Sequence, residues 1–367
     1  MKRAPGRAGL SPLGPPRRRP GPFGSRRRGT LGPPRRRRGA LLARAVLAGA
    51  VAAVFALAAV LLLPRDGGAR EDRWTALAPA QLERTEVAAA RIGRFVYVVG
   101  GFERASGQTV ASVERYSIRR DRWARLPDMP VALNHPTAAA HRGRLYVHGG
   151  YRGEAGLTGA TGVLLRYDPQ RRRWRRLRSS PTPRAAHALA AIRGRLYAAG
   201  GANDSGSLRS LEIYDIRRAR WRRGRSFPGP ARNHTTGVAS GGRFYVLAGR
   251  DAGNLADAER YDPRRRVWQG LPPLRVPRGG IASARLSDGR IVVFGGERLE
   301  QGGTTIAEVE LFDPRRRRWS SLPDLRTPRH GLGGVALGRR VYAIQGGPTP
   351  GFDFSNAIEY LDVPRRR

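Results

Sequence analysis

The chain is 367 residues long, with 69 lysine and arginine residues against 28 acids, a formal charge of +41, and no cysteine. The lack of cysteine excludes disulfides, thiol catalysis and cysteine-ligated metals in one step. Lysine occurs once, as Lys2, so the charge is almost wholly arginine, which fits the codon bias of a GC-rich bacterial genome. No recognition helix, zinc motif or ordered arginine–aromatic platform accompanies it, and nucleic acid is set aside as a partner.

In chain order, residues 1–39 are expected to be a disordered basic cytoplasmic tail. Fourteen cationic residues and no acid occur before residue 45, interspersed with Pro and Gly, and such a composition cannot bury a core. Residues 40–63 are the expected transmembrane signal-anchor. Ala45 to Leu63 is a run of nineteen residues without charge or proline. A bilayer asks for roughly 20, and Arg44 can snorkel at the inner edge. The basic excess lies before this run, so the positive-inside rule places the remainder of the chain outside the cytoplasm, at the cell membrane. A cleaved signal peptide is the competing reading, opposed by the length of the apolar run and the lack of a small-x-small cleavage site. The pairs Arg26-Arg27 and Arg37-Arg38 resemble twin-arginine export signals, a weak hint in so arginine-rich a chain. Residues 64–73 read as a linker, and residues 74–367 are ample for one core without disulfides.

Residues 74–367 carry a period. A tryptophan stands seven residues after an aromatic in Tyr116/Trp123, Tyr167/Trp174, Tyr214/Trp221, Tyr261/Trp268 and Phe312/Trp319. From each of the six tryptophans a glycine follows at 27 or 28 residues: Gly101, Gly150, Gly201, Gly249, Gly296 and Gly346. Each closes a run rich in β-branched and aromatic residues, such as Phe95 to Gly101 and Ile291 to Gly296, which reads as a strand. Helix signals are absent. Trp74 stands alone at the front, and Leu361-Asp362-Val363-Pro364 starts the pattern without reaching a tryptophan. One repeat is thus divided between the two ends.

Together, the Gly-Gly after an apolar strand, the Tyr-Asp, the Trp and the Leu-Pro…Pro-Arg turn resemble the kelch motif, over about four-fifths of the chain. The resemblance implies an all-β fold: a six-bladed kelch-type β-propeller closed by an N-terminal strand and preceded by one transmembrane helix. Each repeat of about 50 residues would be one four-stranded blade, stacked radially on its neighbours to bury both faces. Trp74 would supply the outermost strand of the last blade. Ala248 and Gln345 replace the first glycine of the pair in two repeats. Leu165 interrupts the series Glu114, Glu212, Glu259, Glu310 and Glu359, each two residues before the aromatic position. These are local changes.

Two faces follow from this arrangement. Arginine-rich turns (Arg171 to Arg173, Arg217-Arg218, Arg264 to Arg266, Arg315 to Arg318, Arg365 to Arg367) fall on one, tethered to the anchor by a ten-residue linker. Such a linker reaches at most ~35 Å, and anionic lipid or an anionic wall polymer would attract that face. The competing reading is a solvated surface enriched by codon bias. The opposite face surrounds the channel mouth. Counting back 17 residues from the register glycine gives Arg84, Arg184, Arg232 and Arg329, with Arg278 one further out. Glu86, Asn134, His135, His187, Asn233, His234 and His330 follow closely. This ring of Arg, His and Asn suits carboxylates or sugar hydroxyls. Kelch-like proteins commonly bind on this face, so the expected function is a protein- or glycan-binding module for an acidic peptide, protein or glycan, acting as a monomer without cofactor. Pro-Arg is also ordinary repeat sequence, which is the plainer reading of the arginines.

Enzymatic readings are weaker. Kelch-like copper oxidases need a cysteine-modified tyrosine, and no lysine serves a phosphate loop. Histidine spacing shows no HExxH, so no metal is expected. The alternative that survives is a sugar-handling enzyme (epimerase- or mutarotase-like), with Glu86 beside Arg84 and His135 or His234 as acid and base.

Overall fold

The computed structural model describes residues 73–299 and 302–366. The expected tail, signal-anchor and nearly all of the linker lie outside the described residues, among which no helix is long and apolar enough to cross a membrane. Within the described residues the fold is all-β, built of four-stranded antiparallel sheets.

The first sheet shows the logic of the others. Its strands run in order Ala88–Ile92, Phe95–Val99, Val113–Ser117 and Arg122–Leu126. Phe95–Val99 is covered on both faces, so Val96, Tyr97, Val98 and Val99 are all buried and the strand reads as a continuous apolar run. Arg122–Leu126 is the outer edge and exposes its charged side chains. At the end of the second strand Gly101 takes φ +93°, and a Cβ there would lie 2.3 Å from the carbonyl of Thr85. Only glycine fits so close an approach of two backbones.

The later sheets begin with inner strands Thr137–His141, Ala188–Ile192, Thr236–Ser240, Gly279–Arg285 and Gly333–Leu337. Each inner strand touches the next, and Gly333–Leu337 returns to Ala88–Ile92. Apolar side chains of neighbouring sheets interlock between them, as Val99 and Met129 do with Leu145 and Val147. The last sheet takes its outer strand from the front of the chain, as expected: Thr75 pairs with Tyr360 and Ala76 with Glu359.

The tryptophans tie sheet to sheet. Each indole Nε1–H donates to a carbonyl four residues past the preceding tryptophan: Trp123 to Ala78 at 2.8 Å, Trp174 to Pro127 at 2.9 Å, Trp221 to Arg178 at 2.7 Å. Trp268 reaches Arg225 at 2.6 Å and Trp319 reaches Pro272 at 2.9 Å. Trp74 completes the series by bonding Pro323 at 2.9 Å, across 249 residues of sequence. At Gln345, where a first glycine is replaced, the side chain bonds the Leu82 carbonyl at 2.7 Å and Glu114 at 3.2 Å, adding a tie across the same closure.

Candidate functional site

Just before each inner strand the backbone turns left-handed at an equivalent repeat position. Glu86, His135, Ala186 and His234 have φ of 54°, 51°, 51° and 46°, and Gly280 and Gly331 have 72° and 59°. These residues form most of a belt of backbone hydrogen bonds. His135 N–H donates to Glu86 O at 3.1 Å, Ala186 to His135 at 3.0 Å, Gly280 to His234 at 3.1 Å and Gly331 to Gly280 at 2.9 Å. Val87 N–H donates to Gly331 O at 3.2 Å. Glycine is the inexpensive occupant of such a position, and Ala186 is disfavoured there by its Cβ as any L-residue is. A side chain there costs about 1–2 kcal/mol, so Glu86, His135 and His234 are held in a conformation their types disfavour.

All three side chains line an axial cavity of about 170 Å³, whose walls are small residues such as Ala88, Thr137, Thr236 and Ser283. The Glu86 carboxylate lies between two imidazoles, with Oε2 3.0 Å from His135 Nε2 and Oε1 3.2 Å from His330 Nδ1. His330 Nδ1 is also 3.6 Å from Glu297, whose other oxygen pairs with Arg250 at 2.7 Å. His135 Nε2 and His234 Nε2 face one another at 3.1 Å. Burial alone would raise the Glu86 carboxyl, but His135 and His330 more than reverse this and hold it well below the usual carboxylate range. Burial pushes His330 down, yet Glu86 and Glu297 carry it above the ordinary imidazole value. His234, buried and near Arg250 and His135, is held well below that value. The cavity therefore places a carboxylate among three imidazoles, a set able to accept or donate a proton or to ligate a cation.

Residues 86–279, more than half of the chain, match a known family model, the KLHDC2/KLHL20/DRC7 Kelch-repeats domain, and residues 282–326 match a second, the Kelch motif. The chain belongs to the kelch-repeat family. Kelch-like protein 34 of Homo sapiens is 33% identical over 128 residues, which is 34% of this chain and 20% of that protein. Kelch repeat and BTB domain-containing protein 1 of camelpox virus is 27% identical over 131 residues, 36% of this chain and 23% of that protein. The kelch chain thus matches only about a fifth of the length of these curated relatives. A solved structure, described as the structure of YjhT, superposes with a TM-score of 0.65 at 17% identity, covering 76% of this chain and 95% of that one. At that identity the likeness shows the fold alone.

The expected ring divides into two groups. Glu86, His135 and His234 meet at the kelch axis, with His330 behind them. The arginines do not join them: Arg84, Arg184, Arg232, Arg278 and Arg329 are all fully buried and point into their own sheets. Each pairs with the glutamate two residues before the aromatic position: Arg84–Glu114 at 3.0 Å, Arg184–Glu212 at 3.2 Å, Arg278–Glu310 at 3.0 Å, Arg329–Glu359 at 3.1 Å, and Arg232 with Glu259. Arg84 also donates to the carbonyls of Gly100 and Ser112 at 2.8 and 2.9 Å. These guanidiniums are buried and committed to ion pairs inside the sheet, which corrects the expectation that they bind ligand at the mouth. In the second repeat both partners are missing together, because Leu133 stands at the arginine position and Leu165 at the glutamate position, both buried.

Asn134 and Asn233 support the histidines that follow them. Asn134 Oδ1 lies 2.7 Å from His135 Nδ1, and Asn233 Oδ1 contacts His234 Nδ1. His187 also lines the cavity, but its Nε2 turns to the neighbouring sheet, 2.8 Å from His148 Nδ1 and 2.7 Å from Thr137 Oγ1. His148 Nε2 reaches Ser180 Oγ at 3.0 Å. Sequence reasoning missed His148, Arg250 and Glu297. The signal was present in the period: His148 stands where Val99 and Ala199 stand in neighbouring repeats, and Arg250 and Glu297 each directly follow a register glycine.

Proposed function

We propose that this chain is a membrane-anchored, six-bladed kelch propeller that binds a partner protein or acidic peptide outside the cytoplasm through its channel-mouth face. The observation that carries the reading is apolar. Among the described residues, three of the four exposed large hydrophobic side chains are Leu157, Leu299 and Phe352, each in a loop that follows a register glycine. Those loops share one end of the sheets with the axial cluster. Phe352 stands 52% exposed and packs edge-on against Phe102 and Phe354 at 4.9 and 4.8 Å. Exposed large apolar side chains gathered on one face mark an interaction surface, and those desolvated at the centre of a contact supply its energy. With the arginines committed to internal pairs, these loops, rather than an arginine ring, would supply the contacts.

In cells, site-specific crosslinking from position 155, an exposed alanine in the Leu157 loop, is expected to trap a discrete partner when the rest of the chain is wild type. The triple variant Leu157→Asp/Leu299→Asp/Phe352→Asp should lose that partner with its thermal midpoint unchanged. Retention of the same partner by the triple variant would show that the face is not the docking surface. Protease added outside intact cells should release a propeller-sized fragment; protection of the chain would reverse the proposed orientation.

A second reading, a sugar-handling enzyme at the same mouth, is favoured by the meeting of Glu86 with His135, His234 and His330 in one cavity. It no longer includes Arg84. Exchange broadening of sugar anomer signals by the wild-type chain, lost in Glu86→Gln, would support it, and identical spectra for both chains would remove it.

A further inference from the structure

We infer that Glu86, His135 and His234 form a binding site for a divalent transition-metal ion of the Zn²⁺ class, with a protein donor set of two imidazoles and one carboxylate. The inference rests on hydrogen-bond bookkeeping within the cavity and is independent of what the outer loops bind.

The amide of Asn134 sets the tautomer of His135. Asn134 Nδ2 faces the carbonyls of Gly153 and Gly156 at 3.4 and 3.3 Å and the Thr109 hydroxyl at 2.8 Å. Carbonyls only accept, so Nδ2–H₂ lies on that side and Oδ1 faces His135 Nδ1 at 2.7 Å. The Nδ1 of His135 therefore carries a proton, so in the neutral ring its Nε2 presents a lone pair. Asn233 repeats the device: its Nδ2 donates to Ser207 Oγ at 2.8 Å and its Oδ1 faces His234 Nδ1. Both Nε2 lone pairs then point into the same space as the Glu86 carboxylate. With both rings neutral, three acceptors converge, and His330 Nδ1 lies on the other oxygen of Glu86. One proton on His135 would serve two of the three at best, whereas a dication at their centre serves all three.

The dimensions suit such an ion. The three ligand atoms lie within 4.8 Å of one another, with edges of 3.0 Å (Glu86 to His135) and 3.1 Å (His135 to His234). Metal–ligand bonds of about 2.0–2.2 Å in a tetrahedron imply edges of roughly 3.3–3.6 Å, a few tenths wider than these two, while the third, Glu86 to His234, is at most 4.8 Å. The outer partners are those that metal-bound histidines ordinarily have, an amide oxygen on each distal nitrogen. His330 and Glu297 stand behind Glu86 and orient its second oxygen. Three protein ligands leave the remaining coordination positions facing the cavity, the pattern of an open site.

The neighbouring histidine pair is a useful contrast. Ser180 Oγ donates to the Thr182 carbonyl at 3.0 Å, so His148 Nε2 must donate to Ser180 and His148 Nδ1 accepts from His187 Nε2. That pair has a proton in every contact and no convergent lone pairs. No short motif announces the axial site, because its ligands are brought together only by the repeat.

The test uses the full-length, untagged chain, stripped with a chelator and titrated separately with Zn²⁺, Co²⁺ and Mg²⁺ by calorimetry, with visible absorption for Co²⁺. One equivalent of Zn²⁺ or Co²⁺ should bind, Co²⁺ with visible bands, and Mg²⁺ should not compete. His135→Gly and His234→Gly place at the belt the residue already present at Gly280 and Gly331, so these variants retain the fold. Each should abolish the equivalent, and Asn134→Ala should weaken it by about 10–100-fold. His148→Val should leave it intact. Absence of saturable Zn²⁺ binding, binding that survives both glycine variants, or binding that follows His148 would each overturn the assignment.

Discussion

Arg184→Ala is expected to lose about 3–5 kcal/mol of folding stability, whereas Arg184→Leu/Glu212→Leu loses little or gains up to about 4 kcal/mol. Removing one partner leaves the other charged, buried and without its counter-ion, and a fully buried carboxylate such as Glu212 cannot recover its hydration. Removing both takes away the desolvation of two ions at once. The protein already contains the outcome of that double change: Leu133 and Leu165 occupy the two positions in the second repeat and pack within the core there. Urea unfolding followed by tryptophan fluorescence measures the three stabilities. A double variant as unstable as Arg184→Ala would mean that the pair contributes more than its own neutralisation.

Acid should weaken the fold through His148 and His187, and replacing both by valine should remove that part of the response. Burial, helped by Arg184, pushes His148 down to about 3, and His187 is also held well below the ordinary imidazole value, by burial and then by His148 and Arg184. Above about pH 6.5 neither state protonates these rings, so they add no pH dependence. Below it the unfolded chain takes up the protons first, and stability falls with pH at about 1.4 kcal/mol per unit for each ring. By pH 5 the loss is about 2 kcal/mol per histidine. His148→Val/His187→Val borrows Val99 and Val87 from the equivalent positions of the first repeat. The wild-type minus variant difference should be level above pH 7 and shift by about 4 kcal/mol in the variant's favour by pH 5. Glu86 and His330 are common to both chains and cancel in the difference. A difference that stays constant from pH 8 to pH 5 would exclude these rings as the source.

The fold was legible because it is written as a period. The aromatic, tryptophan and glycine positions mark strand ends, and the divided repeat at Trp74 and Leu361 gives the closure. The site was legible in part. Counting along the repeat finds positions near the mouth, but not which way each side chain leaves the backbone. Arg84 and Glu86 are two residues apart, yet one enters its own sheet and the other, itself left-handed, faces the axis. A further clue lay in the two leucines. Leu133 and Leu165 break the arginine and glutamate series in the same repeat, as expected if each arginine answers its own glutamate. The histidine pairing could not be read in this way, since His135 meets His234 across the axis and His148 meets His187 between neighbouring sheets.

The hydrogen bond from Trp74 to Pro323 also orders events during synthesis. Thr75–Ala76 leaves the ribosome long before its partner Ile358–Asp362 exists, and until then it has no sheet to join. The cost of joining distant segments grows only logarithmically with the intervening length, so the delay, more than the entropy, is the burden. For most of translation the growing chain presents an unpaired sheet edge at its newest end, the kind of surface on which neighbouring chains associate. The axial cavity has no complete wall until Gly333–Leu337 is in place. A nascent chain therefore cannot bind anything on its axis before Gly333–Leu337 has been made.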